Sequence, residues 1–541
     1  MKEIYRANSS KSISDIISLD IRQLPFSYEQ YGGEGVGTNG GGARIGSFKN
    51  YQFKGIGVTP VVGETNNLYN SNGMYPLYEA VVESVCSQVY QHILPLGTVR
   101  YHAILDNGVS DHFYTAEEPD KKQMGDMPLA IGVREIARRP AHYLRAGHYK
   151  PHPKYRLQVP SDVYRTRKIN QSLRTELGGD NAYIQHIGRF LAGCANQFAF
   201  AKLFRISHGA VTPSNLSMDG CWLDLTNTTF VPGGDNYYAG NPDMLFLEEP
   251  GKIARFVEEM LYTYGKYNEV ELNIAPLLQY YFEQFDAYFC HYIPELVGLP
   301  ANTCAAESTL PARRSMAVWY NQHLRQAMPK GGVPRQEKAN DPTVLLIESL
   351  LAQIFTSCQD EHQSVPLEPV EAATGLMLHA YQSFQQLPLG HFVTFTAIRA
   401  LRKLYFAPLF YIGRLYTESR ALVEKQSKAD IQAFIDAYDT TAAWLFDKKE
   451  TEEKVMVFES PQMSVHYNMT ADRFIVSDRS RDIRELSFVD WREWLEGADL
   501  SLLNYDCKAW LTRMADILKT LRENATLCED RQQVDAKRRS A

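Results

Sequence analysis

Between Gly33 and Gly55 the chain reads GEGVGTNGGGARIGSFKNYQFKG, eight glycines in one short stretch, and this segment limits the fold more than any other. Gly35, Gly37 and Gly40 keep the spacing G-x-G-x-x-G. That spacing holds a pyrophosphate when it follows a buried strand and opens a helix, because the free N–H groups of the helix then face the anion. Neither flank meets the requirement. LPFSYEQYGG before it is no buried apolar strand, and ARIGSFKNYQFKGIGVTP after it alternates as two short strands around Lys49-Asn50, ending in Gly and Pro. No 3.6-residue period starts there. The segment is a glycine-rich hairpin that either covers phosphates between two strands or merely turns.

The order of periods along the chain predicts an α+β protein with a large, mainly helical C-terminal part. Residues 1–25 read as an N-terminal extension with one short helix. Residues 26–140 read as strands around one helix: Leu77, Val81, Val82, Val85, Val89 and Ile93 recur at helical spacing, TVRYHAILDNGVSDHFYTAEE reads as two strands turning at Asp106-Asn107-Gly108, and MPLAIGVREIA as another strand. From 141 to 328 the period becomes helical, with Gly178-Gly179 ending one helix and Asp180 as the N-cap of the next. Residues 329–342 read as a linker and 343–541 as a mainly helical region containing a strand pair, KVMVFES with DRFIVSD. The last helix carries Leu503, Cys507, Trp510, Met514, Ile517 and Leu521 at heptad spacing, which we read as a packed face.

A net charge of −7 across 541 residues gives no reason to expect nucleic-acid or anionic-membrane binding. The eight cysteines form no C-x-x-C, so neither a zinc site nor a redox pair is indicated. No apolar run approaches the length of a membrane span and the N-terminal segment has no signal-peptide core, so a reduced, cytoplasmic, soluble protein is expected. The 32 tyrosines lack basic neighbours in the pattern of a base-stacking surface and are expected in the core and at interfaces.

Chemistry is concentrated in a few residues. Lys54 lies on the strand after the glycines, and Glu83 within the following helix is on the right element to pair with it. HGAVTPSNLSMDGCWLD presents Asn215 and Asp224, an amide oxygen and a carboxylate that can converge on one Mg²⁺. His208 is read as structural.

The stretches FSYEQYG, NGGGARIG, QFKGIGVTP, YLRAGH and HGAVTPSNLSMDG resemble the SelO family, kinase-fold proteins that bind ATP in a flipped orientation and transfer AMP to protein hydroxyls. The resemblance covers about residues 26–230 and implies a bilobed protein-kinase-like fold, with 26–140 as N-lobe and 141–328 as C-lobe. It implies ATP and Mg²⁺ as cofactors. Gly41 and Arg44 would contact phosphates, Lys54 would bind phosphate and pair with Glu83, and Asn215 and Asp224 would hold Mg²⁺. Arg145, with Arg134 or Arg138, would supply phosphate-binding arginines, the choice between the last two being open.

Three positions depart from the family pattern. Ser214 replaces the aspartate before the metal-binding asparagine, Asn72-Gly73 replaces Asp-Gly, and Ala43 replaces the second loop glycine. Ser214 removes the obvious general base for a hydroxyl acceptor. Three readings follow: AMP transfer to a protein or peptide hydroxyl; activation of a carboxylate, which is already ionised, as in bacterial peptide-maturation complexes of the microcin–siderophore type; and a pseudoenzyme whose helical region scaffolds a partner.

Overall fold

The computed structural model describes residues 2–7, 21–64, 71–111, 127–231, 245–327, 341–356, 367–425, 427–446, 453–478 and 482–540. Its first layer is a six-stranded antiparallel sheet of β1 (Lys2–Arg6), β2 (Ser27–Gln30), β3 (Gly41–Phe48), β4 (Tyr51–Lys54), β5 (Tyr101–Asp111) and β6 (Met127–Glu135), in the order β1-β5-β6-β4-β3-β2. The β3–β4 hairpin turns at Lys49-Asn50, where Lys49 takes a positive φ of 52°. Residues 2–6 are not part of an extension: they form the edge strand β1, paired with β5. Asp106-Asn107-Gly108 does not turn either. A bulge between Asp106 and Ser110 absorbs the irregularity within one long strand, so the local turn signal lost to pairing with β6.

Behind the sheet lies α1 (Leu77–Ile93). Its apolar stripe was legible, but its other face is buried as well: Ala80, Ser84, Cys86, Ser87 and Tyr90 have no access to solvent to speak of. Helices from the far end of the chain cover that face, a contact that no local pattern announces.

The rest is mainly helical: α2 (Asp162–Leu177), α3 (Asp180–Leu203), α4 (Glu249–Asn268), α5 (Ala275–Tyr292), α6 (Leu310–Ala327), α7 (Pro342–Gln353), α8 (Leu367–Tyr381), α9 (Leu389–Phe406), α10 (Ile412–Glu424), α11 (Lys428–Leu445), α12 (Phe488–Gly497) and α13 (Lys508–Ser540). The Ser161 hydroxyl caps α2 and Gly178 ends it at φ 89°. Gly179 takes the N-cap place of α3, which puts Asp180 in the first turn, still favourable beside the helix dipole. Short strands β7 (Ile206–Ser207) and β8 (Thr229–Phe230) bracket the loop that carries Asn215 and Asp224. Most of the expected linker lies outside the described residues; its last two, Asp341 and Pro342, cap and open α7.

In the C-terminal region β9 (Lys454–Glu459), β10 (Met463–Asn468), β11 (Arg473–Asp478) and β12 (Ile483–Leu486) form a four-stranded sheet. The two expected strands are β9 and β11, and they do not pair; MSVHYN inserts between them as β10. Leu503 and Cys507 precede α13, while Leu511, Met514, Leu518 and Leu521 form its buried face against α9. One apolar core runs from Ile4 through α1 to Ala525, so the helices and strands described after residue 342 are packed into the same body as the sheet. No helix among the described residues is long and apolar enough to cross a membrane.

Candidate functional site

A cleft of about 660 Å³ opens between the glycine-rich segment and the loop after β7, within the size range of small-molecule sites. Two glycines of this rim sit where the backbone requires glycine. A Cβ on Gly41, at φ 145°, would lie 2.1 Å from the Glu29 carbonyl oxygen, and Gly37, at φ 57°, takes the left-handed conformation on an open stretch.

Strand register builds the deep end. Lys54 on β4 lies opposite Gly132 of β6, and Gln52 opposite Arg134, so both cations approach the helix behind the sheet. Lys54 Nζ donates to Glu83 Oε2 at 2.8 Å and to Asp224 Oδ1 at 2.9 Å. Arg134 Nη1 donates to Glu83 Oε1 at 2.8 Å and to Asp224 Oδ1 at 2.9 Å. Two cations thus bridge the same two carboxylates. Lys54, Glu83 and Arg134 are buried, while the Asp224 side chain is 22 % exposed to the cleft. Burial alone would raise the Asp224 carboxyl, but Arg134, Lys54 and Arg139 hold it well below the ordinary carboxylate range. Asp224 also sits at φ 58°, a conformation that an aspartate tolerates better than most residues and that turns its carboxylate toward the cations.

Arg134 and Arg138 lie apart in space, and only Arg134 reaches Asp224. Arg138 is exposed and pairs with Glu176 on α2 at 2.7 Å, away from the cleft. Arg145 does not line the cleft either. Its Nε donates to Asp162 Oδ2 at 2.5 Å, and its carbonyl accepts from Gly33 N at 2.9 Å, so it anchors the glycine segment through its backbone. Arg44 lines the cleft, donating to the Met74 carbonyl at 2.9 Å.

The arginine that sequence reasoning missed is Arg139. It is fully buried, donates to the Ser214 carbonyl at 2.9 Å and to Gln52 Oε1 at 3.0 Å, and stands 3.7 Å from Asp224. Pro140 is the signal that could have found it: the residue before a proline is kept extended, which here carries Arg139 inward from the end of β6. Glu79, one turn before Glu83 on α1, and Tyr416 of α10 also line the cleft and were not foreseen. Tyr416 comes from the C-terminal region, out of reach of any local motif.

On the opposite wall, Ser214 Oγ lies 2.9 Å from Thr212 Oγ1 and donates to Asn215 Oδ1 at 3.1 Å. Asn215 Nδ2 donates to the Ala210 carbonyl at 2.9 Å, which fixes the amide with its oxygen toward Ser214. His208 is buried, and burial lowers its pKa to about 4, so it is neutral. Its Nε2 faces the Asn215 carbonyl at 3.2 Å and therefore carries the proton, which makes it a support for the loop.

Glu249, at the start of α4, holds this loop from behind, accepting from Ser207 Oγ and Gly209 N at 2.7 Å and from His208 N at 3.0 Å. Burial raises its carboxyl to about 7 in spite of these donors. A carboxyl raised above its ordinary 4.5 keeps a proton that the unfolded chain has released, so its contribution is full below about pH 4.5 and lost as pH rises through about 7. The stability of the parent relative to Glu249→Gln is expected to fall by about 3 kcal/mol across that window. Denaturant titrations of both proteins at several pH values check this; parallel curves would show that Glu249 does not titrate there.

The residues fit a nucleotide with a divalent cation. Arg44 and Lys54 line the cleft where phosphate oxygens could meet them, while Arg134 Nη2 and Arg139 Nε are buried donors that no group of the described protein accepts, behind Asp224 and not on the cleft lining. Among the described residues no group of three His, Cys, Asp or Glu could hold a metal by itself, so Asn215 and Asp224 would need phosphate oxygens to complete a Mg²⁺ shell. No protein-family model and no curated protein matches this chain.

Proposed function

We propose that the protein is an ATP-dependent nucleotidyltransferase of SelO-like, protein-kinase-like architecture that moves AMP to a protein or peptide acceptor. The observation that carries this reading is the deep end of the cleft, where Lys54 and Asp224 meet the opening beneath a glycine-rich rim and the buried Arg134 and Arg139 stand behind Asp224. The antiparallel sheet, the helix bearing Glu83 behind it and the helical part that follows support a bilobed architecture. The acceptor oxygen attacks the α-phosphorus, the bond to the β-phosphate oxygen breaks, and pyrophosphate leaves. Lys54 and Arg44 stabilise the charge that accumulates on the phosphates, and Arg134 and Arg139 add positive charge from behind Asp224. Glu83 orients Lys54 and Arg134 without touching substrate. Asn215 and Asp224 would hold Mg²⁺, which supplies further charge neutralisation when bound.

Ser214 favours a carboxylate as the acceptor. The hydroxyl at this position is committed to Thr212 and Asn215, and a carboxylate acceptor needs no base because it is ionised at neutral pH. The product would be an acyl-adenylate, as a peptide-maturation enzyme would make.

Incubation with Mg²⁺ and ATP labelled at the α- or the γ-phosphate, with a cell extract supplying acceptors, tests the reading. The α-label is expected on polypeptide and the γ-label in pyrophosphate, with transfer lost in Lys54→Ala. Retention of the γ-label would make the protein a phosphotransferase, and absence of ATP binding would leave the scaffold reading.

A further inference from the structure

The overall charge of −7 hides a local reversal. Residues 145–168, RAGHYKPHPKYRLQVPSDVYRTRK, hold seven Lys and Arg against the single Asp162, so the rest of the chain is more acidic than its total. That one acid is consumed by Arg145 at 2.5 Å and Arg165 at 2.8 Å. Lys150, Lys154 and Arg156 in the loop, with Arg167 and Lys168 on the first two turns of α2, remain exposed to solvent. Between them stand exposed apolar side chains: Leu157 is 99 % exposed, Tyr164 58 % and Val163 49 %. Val163 and Arg167, and Tyr164 and Lys168, are each four apart on the helix and so share a face.

This ledge is attached to the rim of the cleft. Pro151 bridges to Gly63, Glu64 N donates to the Lys150 carbonyl at 2.8 Å, and His152 N to the Val62 carbonyl at 3.2 Å. Gly63 N in turn donates to Oδ1 of Asn39, which lines the cleft. Tyr149 lies against Gly40, where a Cβ would meet its ring at 2.5 Å.

We infer that this ledge is the docking surface for the acceptor, and that it takes an acidic polypeptide segment with interspersed apolar side chains. The inference rests on the group-transfer reading of the cleft. A peptide fits because the basic surface is short and mixed with Leu157, Val163 and Tyr164, whereas a long polyanion would extend beyond the basic side chains that attract it. Docking here brings an acceptor to the glycine-lined mouth.

The probe is a fluorescent peptide of about twelve residues alternating Glu or Asp with Leu or Phe, compared by anisotropy with a Lys/Leu peptide, a single-stranded oligonucleotide and vesicles rich in anionic lipid. The acidic peptide is expected to bind at about 0.05 M salt and to weaken about tenfold or more by about 0.3 M. In Lys154→Glu/Arg156→Glu/Lys168→Glu it is expected to weaken at least about tenfold, with ATP affinity unchanged. Neutral Lys154→Ala/Arg156→Ala gives a smaller loss in the same direction. Absence of acidic-peptide binding, indifference to charge reversal, or tighter binding of the oligonucleotide or vesicles would overturn the inference. Loss of ATP binding in the parent with peptide binding intact would instead sink the cleft reading.

Discussion

Asp224→Ala is expected to bind Mg-free ATP at least about tenfold more tightly than the parent and to lose AMP transfer by about a thousandfold or more. Both effects follow from one carboxylate that accepts from Lys54 and Arg134 at 2.9 Å with Arg139 close by. Without a metal, Asp224 competes with phosphate for those cations and repels it. A like-charge contact near 4 Å at an effective dielectric of about 20 is worth about 4 kcal/mol before screening, and tenfold in affinity needs only about 1.4 kcal/mol. Transfer is lost because Asn215 alone is a poor protein ligand for Mg²⁺. The ligand-free variant keeps only Glu83 between two buried cations, which costs about 3 kcal/mol, so ATP should raise its unfolding temperature more than it raises the parent's. Calorimetric titration with ATP in a chelator and label transfer in Mg²⁺ are the measurements. Weaker binding of Mg-free ATP would make Asp224 an organiser of the cations and not a metal ligand.

Ser214→Asp is expected to slow transfer. The new carboxylate would lie beside Asn215, where an ionised acceptor must approach, and repulsion of about 4 kcal/mol before screening and relaxation opposes it. The same substitution supplies the missing base for a hydroxyl acceptor, which would speed transfer by about a hundredfold to ten-thousandfold. One substitution therefore separates the two acceptors by sign. Initial rates with ATP saturating decide between them, and hydroxylamine gives an independent reading, since it releases AMP from an acyl-adenylate by forming a hydroxamate. A clear rate gain would assign the acceptor as a hydroxyl.

Much of this arrangement was legible along the chain because it depends on short-range physics. The β3–β4 hairpin follows from alternation and a turn, α1 from its apolar spacing, and the end of α2 from a glycine that tolerates positive φ. Lys54, Glu83, Asn215 and Asp224 could be named because each sits on or beside such an element, and the roles expected of them came with the resemblance to a known family. Long-range pairing decided the rest. A local reading had no means to see that residues 2–6 close the sheet edge, that β10 separates β9 from β11, or that the Asp106-Asn107-Gly108 signal yields to β6. The choice of Arg134 over Arg138, and the presence of Arg139, depend on which side of the β6 end faces Asp224, and charge alone carries no direction. Tyr416 reaches the cleft because distant helices cover the second face of α1, a contact whose energy lies in matched buried surfaces hundreds of residues apart. The chain by itself determined which side chains are available; packing determined which of them meet.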